Sequence, residues 1–549
     1  MASLGERLRQ LGVVRSSTHS PPYMMHKFWA RRPWLVFRRL ITTFTREGDI
    51  ILDPFAGGGV TLVEGLITRR RVVAADINPL AVFIMRHEAK PLDLSSFSSA
   101  LAWLERELGN TMRDIYSASC PRCGARAEVE WGEYSSQDDR LLTLKLECPL
   151  CGYRGVKEPS ENDLSQKTTP TSYRVVSIPL GEKTRDLLRR GYRYFHELFT
   201  QRNLAALLLL REAIERCPTD EETRSFLLFA FSSTLKWASK MSHRRGGIIE
   251  GWAMHAYWIY PRYLEINVWR QFLNRARAIA RGKRYTNEHI GGYAVEAGSF
   301  GQLLKGEASF MVLNMDARNL PIPDHSVDAV ITDPPYGGNV NYAELSDYFL
   351  WWEGELSPKN GEVIVNETRG LSLMDYSEGL REVFAECWRV LKDGAPLIST
   401  FNSKDMRIVA AFTSALRGAG FRYITVSQQP YLKVYETTFH AMQVDAMPFD
   451  FIFLYQKDVR GEFDDASPRD TDVIIEWLYG ELAWCKRRKL TERDYRMRTY
   501  PRLIPAISCL DARDAIALAE DYERMIKEER GYFTSVRRRV VERRRKSST

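Results

Sequence analysis

Long apolar segments are missing from this 549-residue sequence. The longest, Leu204–Leu210, lies between Arg202 and Arg211 and is far shorter than the roughly 20 residues that a membrane-spanning helix needs. The first ten residues carry charged side chains and no apolar segment of the kind that a signal peptide has. We therefore expect a cytoplasmic protein that does not bind membranes.

Compositional extremes are also absent. Hydrophobic residues make up 44% and charged residues 27% of the chain, which is ordinary globular usage and excludes disordered, collagenous and disulfide-scaffold classes. We find neither an internal repeat nor a long low-complexity linker. At about 150 residues per domain, the length predicts roughly three to four structural units.

The excess of positive charge is small: the sequence has 78 lysines and arginines and 70 acidic residues, for a net charge of +8. The distribution of charge is more informative than the total. Residues 236–284 hold eleven basic residues, two acids and eight large aromatic residues, and cations with flat rings suit the phosphates and bases of nucleic acid. The alternative is an arginine-rich helical domain with an aromatic core. The candidate nucleic-acid contacts are Lys240, His243, Arg244, Arg245, Trp258 and Arg262.

The C-terminal segment 535–549 is a second basic stretch, with seven basic residues against one acid. Such a run is either a nucleic-acid contact or a solvated arm.

A glycine-rich turn follows the first predicted strand. The apolar run Asp49–Leu52 is typical of a buried strand, and Asp53–Thr61 (DPFAGGGVT) leads from it into a helical pattern. Glycines let the backbone approach a ligand, and the N–H groups of the helix start face it. A second strand, Arg71–Ala75, ends in Asp76, nineteen positions after Gly57. Rossmann-type sites place an acid on ribose hydroxyls at about this offset. A structural turn without a ligand is the alternative.

The residues of the turn narrow the choice of cofactor. No G-x-x-x-x-G-K-[ST] sequence occurs, which argues against P-loop phosphate chemistry. Asp53 at the strand end would repel a pyrophosphate, whereas it suits the ammonium of an amino acid. We therefore expect S-adenosylmethionine rather than NAD.

Two further strands, Ser309–Leu313 and Ser326–Thr332, are predicted to lead into Asn314–Arg318 and into Asp333-Pro334-Pro335-Tyr336. Successive prolines make a stiff turn at a strand end. A site that methylates an exocyclic amine must accept its hydrogens, expose the nitrogen lone pair and hold the ring flat. Asp333 and the Pro334 carbonyl can accept the two N–H bonds while Tyr336 stacks on the base. These four residues are the predicted catalytic group, with a proline-rich turn closing a strand as the alternative.

Cysteine is scarce, and half of the eight cysteines form one array. Its spacing is C-x2-C, 24 residues, C-x2-C, with β-like segments Glu128–Trp131 and Leu142–Lys145 between the pairs. Four thiolates at this spacing suit a closed tetrahedral zinc site of structural type, and disulfides are the poorer alternative in the cytosol. The predicted ligands are Cys120, Cys123, Cys148 and Cys151. We expect the others to be packing residues: Cys217, Cys387, Cys485 and Cys509.

A long insertion separates the second and third strands. About 240 positions lie between Asp76 and Asp316, where a βαβ unit needs roughly 30 residues. Besides the cysteine array, it holds helical patterns at Leu204–Arg216, Thr223–Ser239 and Tyr263–Arg281. We interpret it as the target-recognition part, in which the ribbon either contacts nucleic acid or braces the fold.

These motifs resemble the amino-methyltransferases of nucleic acids, where Asp before the two prolines is more typical of adenine N6 than of cytosine N4 enzymes. More narrowly, His26–Trp34 (HKFWARRPW) and Gly337–Asp347 (GGNVNYAELSD) resemble adenine-specific DNA methylases that contain a zinc ribbon. The resemblance spans most of residues 20–455. It implies an α/β fold: a Rossmann-like, seven-stranded methyltransferase core with a large inserted zinc-ribbon plus helical domain and a helical C-terminal extension.

The resemblance also implies roles for single residues. Asp76 would bind the ribose of S-adenosylmethionine and Asp316 its adenine. The segment His26–Pro33 would pack beside the methionine end, although His26 and Lys27 could equally contact DNA. With Asp53, the predicted cofactor residues are Phe55, Gly57, Gly59, Asp76, Asp316 and Ala317.

The sequence thus predicts an adenine-specific DNA methyltransferase that acts on the N6 amine of a flipped base, with DNA preferred to RNA as partner. Restriction or defence proteins are compatible further partners. The alternatives are an RNA methyltransferase acting on guanine N2 with the same fold, and an inactive nucleic-acid-binding subunit. The predicted domains are the core at 1–90 and 305–457, the ribbon at 117–156, a mainly helical insert at 157–304, and a helical extension with a basic tail at 458–549.

Overall fold

The computed structural model of the chain describes residues 3–14, 20–29, 31–161, 163, 172–430, 449–458 and 471–537. Within these ranges, no helix is both long and apolar enough to cross a membrane. The predicted basic tail lies outside the described residues from position 538 onward.

The strands carry numbers in chain order. They are β1 (Ile50–Asp53), β2 (Arg71–Asp76), β3 (Ser117–Ser119), β4 (Arg126–Ser135), β5 (Leu141–Glu147), β6 (Arg154–Lys157), β7 (His243–Arg245), β8 (Ile248–Glu250), β9 (Arg262–Ile266), β10 (Phe310–Asn314), β11 (Ala329–Thr332), β12 (Pro396–Phe401), β13 (Phe421–Pro430) and β14 (Phe449–Lys457).

The α-helices are numbered in the same way. They are α1 (Leu4–Leu11), α2 (Trp34–Phe44), α3 (Val60–Ile67), α4 (Pro79–Ala89), α5 (Leu94–Ile115), α6 (Arg185–Arg189), α7 (Gln201–Arg216), α8 (Glu221–Ala238), α9 (Val268–His289), α10 (Phe300–Lys305), α11 (Tyr342–Leu350), α12 (Leu373–Val390), α13 (Met406–Gly418), α14 (Thr471–Arg488), α15 (Glu492–Cys509) and α16 (Ala512–Glu528). Short 3-10 turns occur at Pro21–Met24, Phe195–Leu198, Gly291–Tyr293, Trp351–Glu353 and Glu367–Arg369.

Seven strands form the central sheet in the order β10-β2-β1-β11-β12-β14-β13. The first five run parallel to one another, and β14 is antiparallel to both of its neighbours. The predicted Rossmann-like, seven-stranded α/β core is therefore confirmed.

The sequence of the central strands accounts for their position. β1 and β11 are buried along their whole length, and strands covered on both faces of a parallel sheet are near-continuous apolar runs. Ile51 of β1 lies opposite Val72 of β2 on one side and Ala329 of β11 on the other. Because all three strands are parallel, their carboxyl ends meet at one edge, where open α/β sheets bind ligands.

The insertion between β2 and β10 forms a second sheet. Strands β3 to β6 lie in sequence order, and β9 pairs with residues 131–135 of β4, beyond the residues of β4 that pair with β3. The two β-like stretches between the cysteine pairs are thus strands, as predicted. The predicted helix at Tyr263–Arg281 is wrong at its start, because Arg262–Ile266 is strand β9 and the helix begins only after Asn267. The Asn267 side chain caps α9 by accepting from the Arg270 N–H at 3.1 Å, and pairing with β4 overrides the helical pattern before it.

The helices of the insertion share one apolar core with the N-terminal segment of the methyltransferase fold. Trp29 is only 2% exposed, and its ring centroid lies 5.5 Å from that of Trp252 and 5.9 Å from that of Phe349. Burying rings of this size contributes a large share of core stability. The insertion is therefore packed into the core beside the central sheet.

The predicted helical C-terminal extension is also present. Arg496 of α15 donates two hydrogen bonds to Glu523 of α16, at 2.7 and 2.9 Å. The Glu523 carboxylate also accepts from the Met406 N–H at the start of α13, at 2.8 Å. A bidentate, largely buried pair of this kind fixes orientation as well as distance, so α15 and α16 are fastened to the core.

Gly65 shows how closely α3 packs on the sheet. A Cβ atom at Gly65 would collide with Val72 Cγ2 of β2, so we expect Gly65→Ala to lower the free energy of unfolding by about 1–3 kcal/mol through overpacking. Urea denaturation followed by circular dichroism measures this change. Gly480 in α14, where an added Cβ meets nothing within 4 Å, is the matched control, and Gly480→Ala should be neutral or stabilising by up to about 1 kcal/mol. Equal destabilisation by both variants would contradict the packing argument.

Candidate active site

The glycine-rich turn connects β1 to α3 and forms the floor of a cleft. Gly57 and Gly59 have φ angles of +48° and +75°, which glycine adopts without strain. The Gly57 N–H donates to Asp76 Oδ2 at 2.8 Å. A Cβ atom at Gly57 would lie 3.0 Å from Phe28 Cε1. Both the backbone conformation and the close approach of Phe28 therefore require glycine at this position.

Asp76 ends β2 beside this turn. Its second carboxylate oxygen accepts from the Asn78 N–H at 2.8 Å. Burial raises the pKa of Asp76 to about 6. Two backbone N–H groups thus hold the carboxylate at the cleft wall.

Asp53 ends β1 and is buried below the turn. Its oxygens accept from the Thr61 and Thr332 hydroxyls, each at 2.6 Å. Burial raises the pKa of Asp53 to about 7. Asp53 therefore ties α3 and β11 to β1, in addition to lining the cleft.

Asp316 and Ala317 follow β10, on the far side of Asp76. The Asp316 carboxylate is partly exposed and accepts from Arg318 Nη1 at 2.9 Å, whereas Ala317 is buried. Gly361 passes close over them, since a Cβ there would lie 2.7 Å from Asp316 Oδ2. The loop that carries Gly361 therefore lines part of the cleft.

The cleft encloses about 980 Å³ with its mouth included. One wall carries two stacked rings, Phe28 and Tyr342, whose centroids are 5.5 Å apart. Gly59 turns toward α4 instead, where its Cβ would lie 3.0 Å from Met85 Cγ. The structure thus brings together most of the residues predicted from the sequence, and those that line the cleft are Asp53, Phe55, Gly57, Asp76, Asp316, Ala317, Asp333 and Pro335.

The Asp333-Pro334-Pro335-Tyr336 turn begins where β11 ends. Asp333 Oδ1 accepts from the Thr400 hydroxyl at 2.6 Å and from the Tyr336 hydroxyl. The Tyr376 hydroxyl donates to the Pro335 carbonyl at 2.6 Å and holds the turn in place. Burial raises the pKa of Asp333, against the opposing effect of the Arg32 guanidinium.

Arg32 is a site residue that sequence reasoning did not single out. Its Nε donates to Asp333 Oδ2 at 2.7 Å, its Nη2 donates to the Tyr336 hydroxyl, and its Cζ lies 4.7 Å from the centre of the Tyr336 ring. Nη1 lies 3.1 Å from both carboxylate oxygens of Asp450 on β14. The only signal in the sequence is its place in the His26–Trp34 motif.

His26 and Lys27 point into the fold. The His26 ring stacks on Phe229 with centroids 5.2 Å apart, and its Nε2 lies 3.0 Å from Ser232 Oγ. Burial lowers the pKa of His26 to about 3, so the ring is neutral at physiological pH. Lys27 Nζ donates to the Trp252 carbonyl at 2.7 Å. Both side chains therefore join the insertion to the core, and neither lies free for DNA.

The four cysteines of the array converge. Their sulfur atoms all lie within 4.8 Å of one another, with Cys120 and Cys151 at 3.6 Å and Cys123 and Cys148 at 3.7 Å. Sulfurs around a tetrahedral zinc ion, with Zn–S bonds of about 2.3 Å, are separated by roughly 3.8 Å. The cluster therefore fits a four-thiolate structural zinc site.

The candidate nucleic-acid residues divide by exposure. Lys240 is 7% exposed and pairs with Asp139 at 2.7 Å. The His243 ring is buried against Tyr260, with centroids 3.7 Å apart. Lys240 and His243 therefore make contacts within the protein and are not exposed for nucleic acid.

Three exposed arginines remain at the surface. Arg244 and Arg245 lie on β7, and Arg262 begins β9. Trp258, the sixth candidate, is half-buried under the Arg190 guanidinium, 4.0 Å from its ring centre. The exposed candidates thus come from neighbouring strands of the insertion.

Comparisons with known proteins match DNA methyltransferases. A family model described as DNA methylase matches residues 9–85, the part that carries the His26–Trp34 motif, the glycine turn and Asp76. The chain is 21% identical over 393 residues to the Type II methyltransferase M.MjaII of Methanocaldococcus jannaschii, covering 65% of this chain and 67% of that protein. It is 22% identical over 365 residues to the Type II methyltransferase M.MvaI of Kocuria varians, covering 64% of this chain and 61% of that protein.

The chain thus spans about two thirds of the length of the curated relatives it matches. The solved protein TTHA0409 of Thermus thermophilus aligns at 16% identity with a TM-score of 0.17, over 30% of this chain and 60% of that one, which is too little to bear on the fold. The resemblance to methyltransferases of nucleic acids that the motifs indicated is confirmed, for DNA methyltransferases in general, by the family and sequence matches. The narrower resemblance to zinc-ribbon enzymes stays a prediction.

The cysteine cluster makes a direct prediction. We expect the purified protein to carry one zinc ion per chain, and Cys148→Ser to release it, because the serine hydroxyl is a poor substitute for a thiolate ligand. Metal content by mass spectrometry measures this ratio. Cys217→Ser, which changes a buried cysteine outside the cluster, should retain the metal. Full zinc content in Cys148→Ser would contradict the assignment.

Proposed function

We propose that this protein transfers a methyl group from S-adenosylmethionine to the exocyclic N6 amine of an adenine in DNA. One observation carries the proposal: Asp333, at the end of β11, and the glycine turn with Asp76, at the ends of β1 and β2, line the same cleft. A methyl donor on one side and an amine on the other would meet inside it.

The residues present fit the cofactor. Asp76 would accept hydrogen bonds from the ribose hydroxyls, and Asp316 with Ala317 would form the wall of the adenine pocket. Phe55 with Gly57 would line the middle of the cofactor cleft. Asp53 is the last residue of β1, and a methionine ammonium would lie beside it. When bound, the cofactor supplies an activated methyl group on a positively charged sulfur.

The chain's own residues would orient the amine for direct attack. Asp333 and the Pro334 carbonyl would accept its two N–H bonds, and Tyr336 would hold the base flat. In this orientation the nitrogen lone pair would be directed at the methyl group that the bound cofactor supplies, and Asp333 would accept the amine proton that the transfer releases. Such orientation lowers a barrier by several kcal/mol without any protein nucleophile.

DNA as the substrate polymer is supported by the family match and by the two Type II methyltransferase relatives. The target amine of a duplex is reached by flipping the base out of the stack. Arg244, Arg245 and Arg262 would contact phosphates, and the insertion at 157–304 with the ribbon at 117–156 would position the duplex over the core.

The experiment that tests the polymer, the base and the atom together uses methyl-labelled S-adenosylmethionine with duplex DNA or total RNA, followed by digestion to nucleosides. Labelled N6-methyladenine from DNA is the expected product. N4-methylcytosine from DNA would correct the base, N2-methylguanine from RNA would correct the polymer, and no label in either would contradict enzymatic activity of the chain alone.

The role of Asp333 predicts a separation of binding from transfer. Asp333→Ala should abolish methyl transfer, because the amine loses its hydrogen-bond acceptor, while affinity for S-adenosylmethionine changes less than about threefold, since Asp333 faces the base. Calorimetry and labelled transfer measure the two quantities. Retained methylation in this variant would refute the assignment. Asp405→Ala, which changes a partly exposed carboxylate that lies outside the cleft and caps the start of α13, is the control.

The raised pKa of Asp76 predicts a pH dependence of cofactor binding. Ribose hydroxyls donate to the charged carboxylate, which is present above about pH 6 and lost below it. Affinity for S-adenosylmethionine should therefore fall severalfold between pH 7 and pH 5. Calorimetry across this range measures it. Asp76→Asn should bind more weakly and with a shallower fall, because Asp53, with a pKa of about 7, still titrates near this range. An equally steep fall in this variant would place the titrating group elsewhere.

A further inference from the structure

The Arg32 guanidinium covers the catalytic turn. It lines the cleft together with Asp333, and it lies over the Tyr336 ring at 4.7 Å. Its side chain is 13% exposed and that of Asp333 is 20% exposed. Arg32 therefore stands between the open cleft and the aromatic ring on which a base would stack.

The contacts of this guanidinium are those that an amine-bearing base would make. A guanidinium is planar, stacks on aromatic faces and presents N–H donors along one edge. Nε donates to Asp333 Oδ2 at 2.7 Å, and Nη2 donates to the Tyr336 hydroxyl. Asp333 Oδ1 already accepts from Thr400 and Tyr336. The oxygen left for a substrate amine is therefore the one that Arg32 holds.

We propose that Arg32 occupies the binding position of the target amine, formed by Asp333 Oδ2 and the Tyr336 ring and hereafter called the seat. Arg32 is exchanged for the base when the base enters. The proposal rests on the proposed function and deepens it. Asp450 supports the exchange, because both of its oxygens lie 3.1 Å from Arg32 Nη1 and its side chain is 8% exposed. A second buried carboxylate keeps the arginine charge compensated after Asp333 is released, whereas an unpaired buried charge would be costly.

The exchange defines the substrate class. The seat accepts N–H donors over a flat ring, so it takes a base with an exocyclic amine. A base with a carbonyl oxygen at that position would set that oxygen against Asp333 Oδ2, leaving both oxygens without a donor. Arg32 is thus a specificity-determining residue, since a base must make better hydrogen bonds than a guanidinium to replace it.

The test measures binding of a base without methyl transfer. Wild-type protein, Arg32→Ala and the control Arg39→Ala are saturated with S-adenosylhomocysteine and titrated with deoxyadenosine or thymidine by calorimetry. Arg39 is an exposed arginine on α2, so its variant removes the same charge away from the seat. Removing the competitor should tighten deoxyadenosine binding by about tenfold or more in Arg32→Ala only, with thymidine binding unchanged.

A chemical rescue separates exchange from a merely structural role. Methylguanidinium should compete with deoxyadenosine in Arg32→Ala, whereas methylammonium at equal concentration should not, because it lacks the planar donor edge. Arg32→Lys keeps the charge between the two carboxylates and should bind deoxyadenosine with intermediate affinity. This second variant keeps the test open if alanine prevents folding.

The outcomes are distinct. Deoxyadenosine binding that is no tighter in folded Arg32→Ala and Arg32→Lys than in wild-type protein overturns the exchange, even if the wild-type protein methylates DNA. Tighter binding with competition by methylguanidinium supports it. A wild-type protein that transfers no methyl group refutes the proposed function, and the binding result still decides whether Arg32 holds the seat.

Discussion

The parallel pairing of β1 with β2 and β11 is the constraint on which the site depends. It places the ends of three strands side by side, so that Asp53, Asp76 and Asp333 meet although 280 positions separate the first from the last. Backbone hydrogen bonds fix this register, and a shift of one residue would turn each carboxylate to the other face of the sheet. The cleft exists because the register is held.

Gathering carboxylates in a buried place has an electrostatic consequence. Burial raises the pKa of Asp53, Asp76 and Asp333 alike, and the chain compensates each one differently. Hydroxyl groups satisfy Asp53, backbone N–H groups hold Asp76, and a guanidinium covers Asp333. The kind of partner decides how free each carboxylate is to bind a ligand. Asp53 is bonded to hydroxyl groups of the fold, Asp76 faces the cleft, and Asp333 must release Arg32 before it can accept from an amine.

Much of the fold was predictable because its signals are local. Apolar runs ending in Asp53, Asp76 and Asp333 identified the central strands, and the cysteine spacing identified the four thiols that converge. The start of α9 was not predictable, since Arg262–Ile266 has a helix-compatible sequence and becomes a strand only by pairing with β4. For the same reason Lys240, basic in the sequence, proved to be buried against Asp139.

By itself, the sequence determined the elements of the sheet, the glycine turn, the cysteine cluster and the residues that end each strand. These features depend on the spacing of apolar residues and on backbone stereochemistry, which both act over a few residues. Only the tertiary structure decided which distant groups meet. In the tertiary structure Arg32 stacks on the Tyr336 ring, His26 is buried against the insertion, and Arg244 is exposed. Such contacts depend on packing between segments hundreds of residues apart, which no local pattern records.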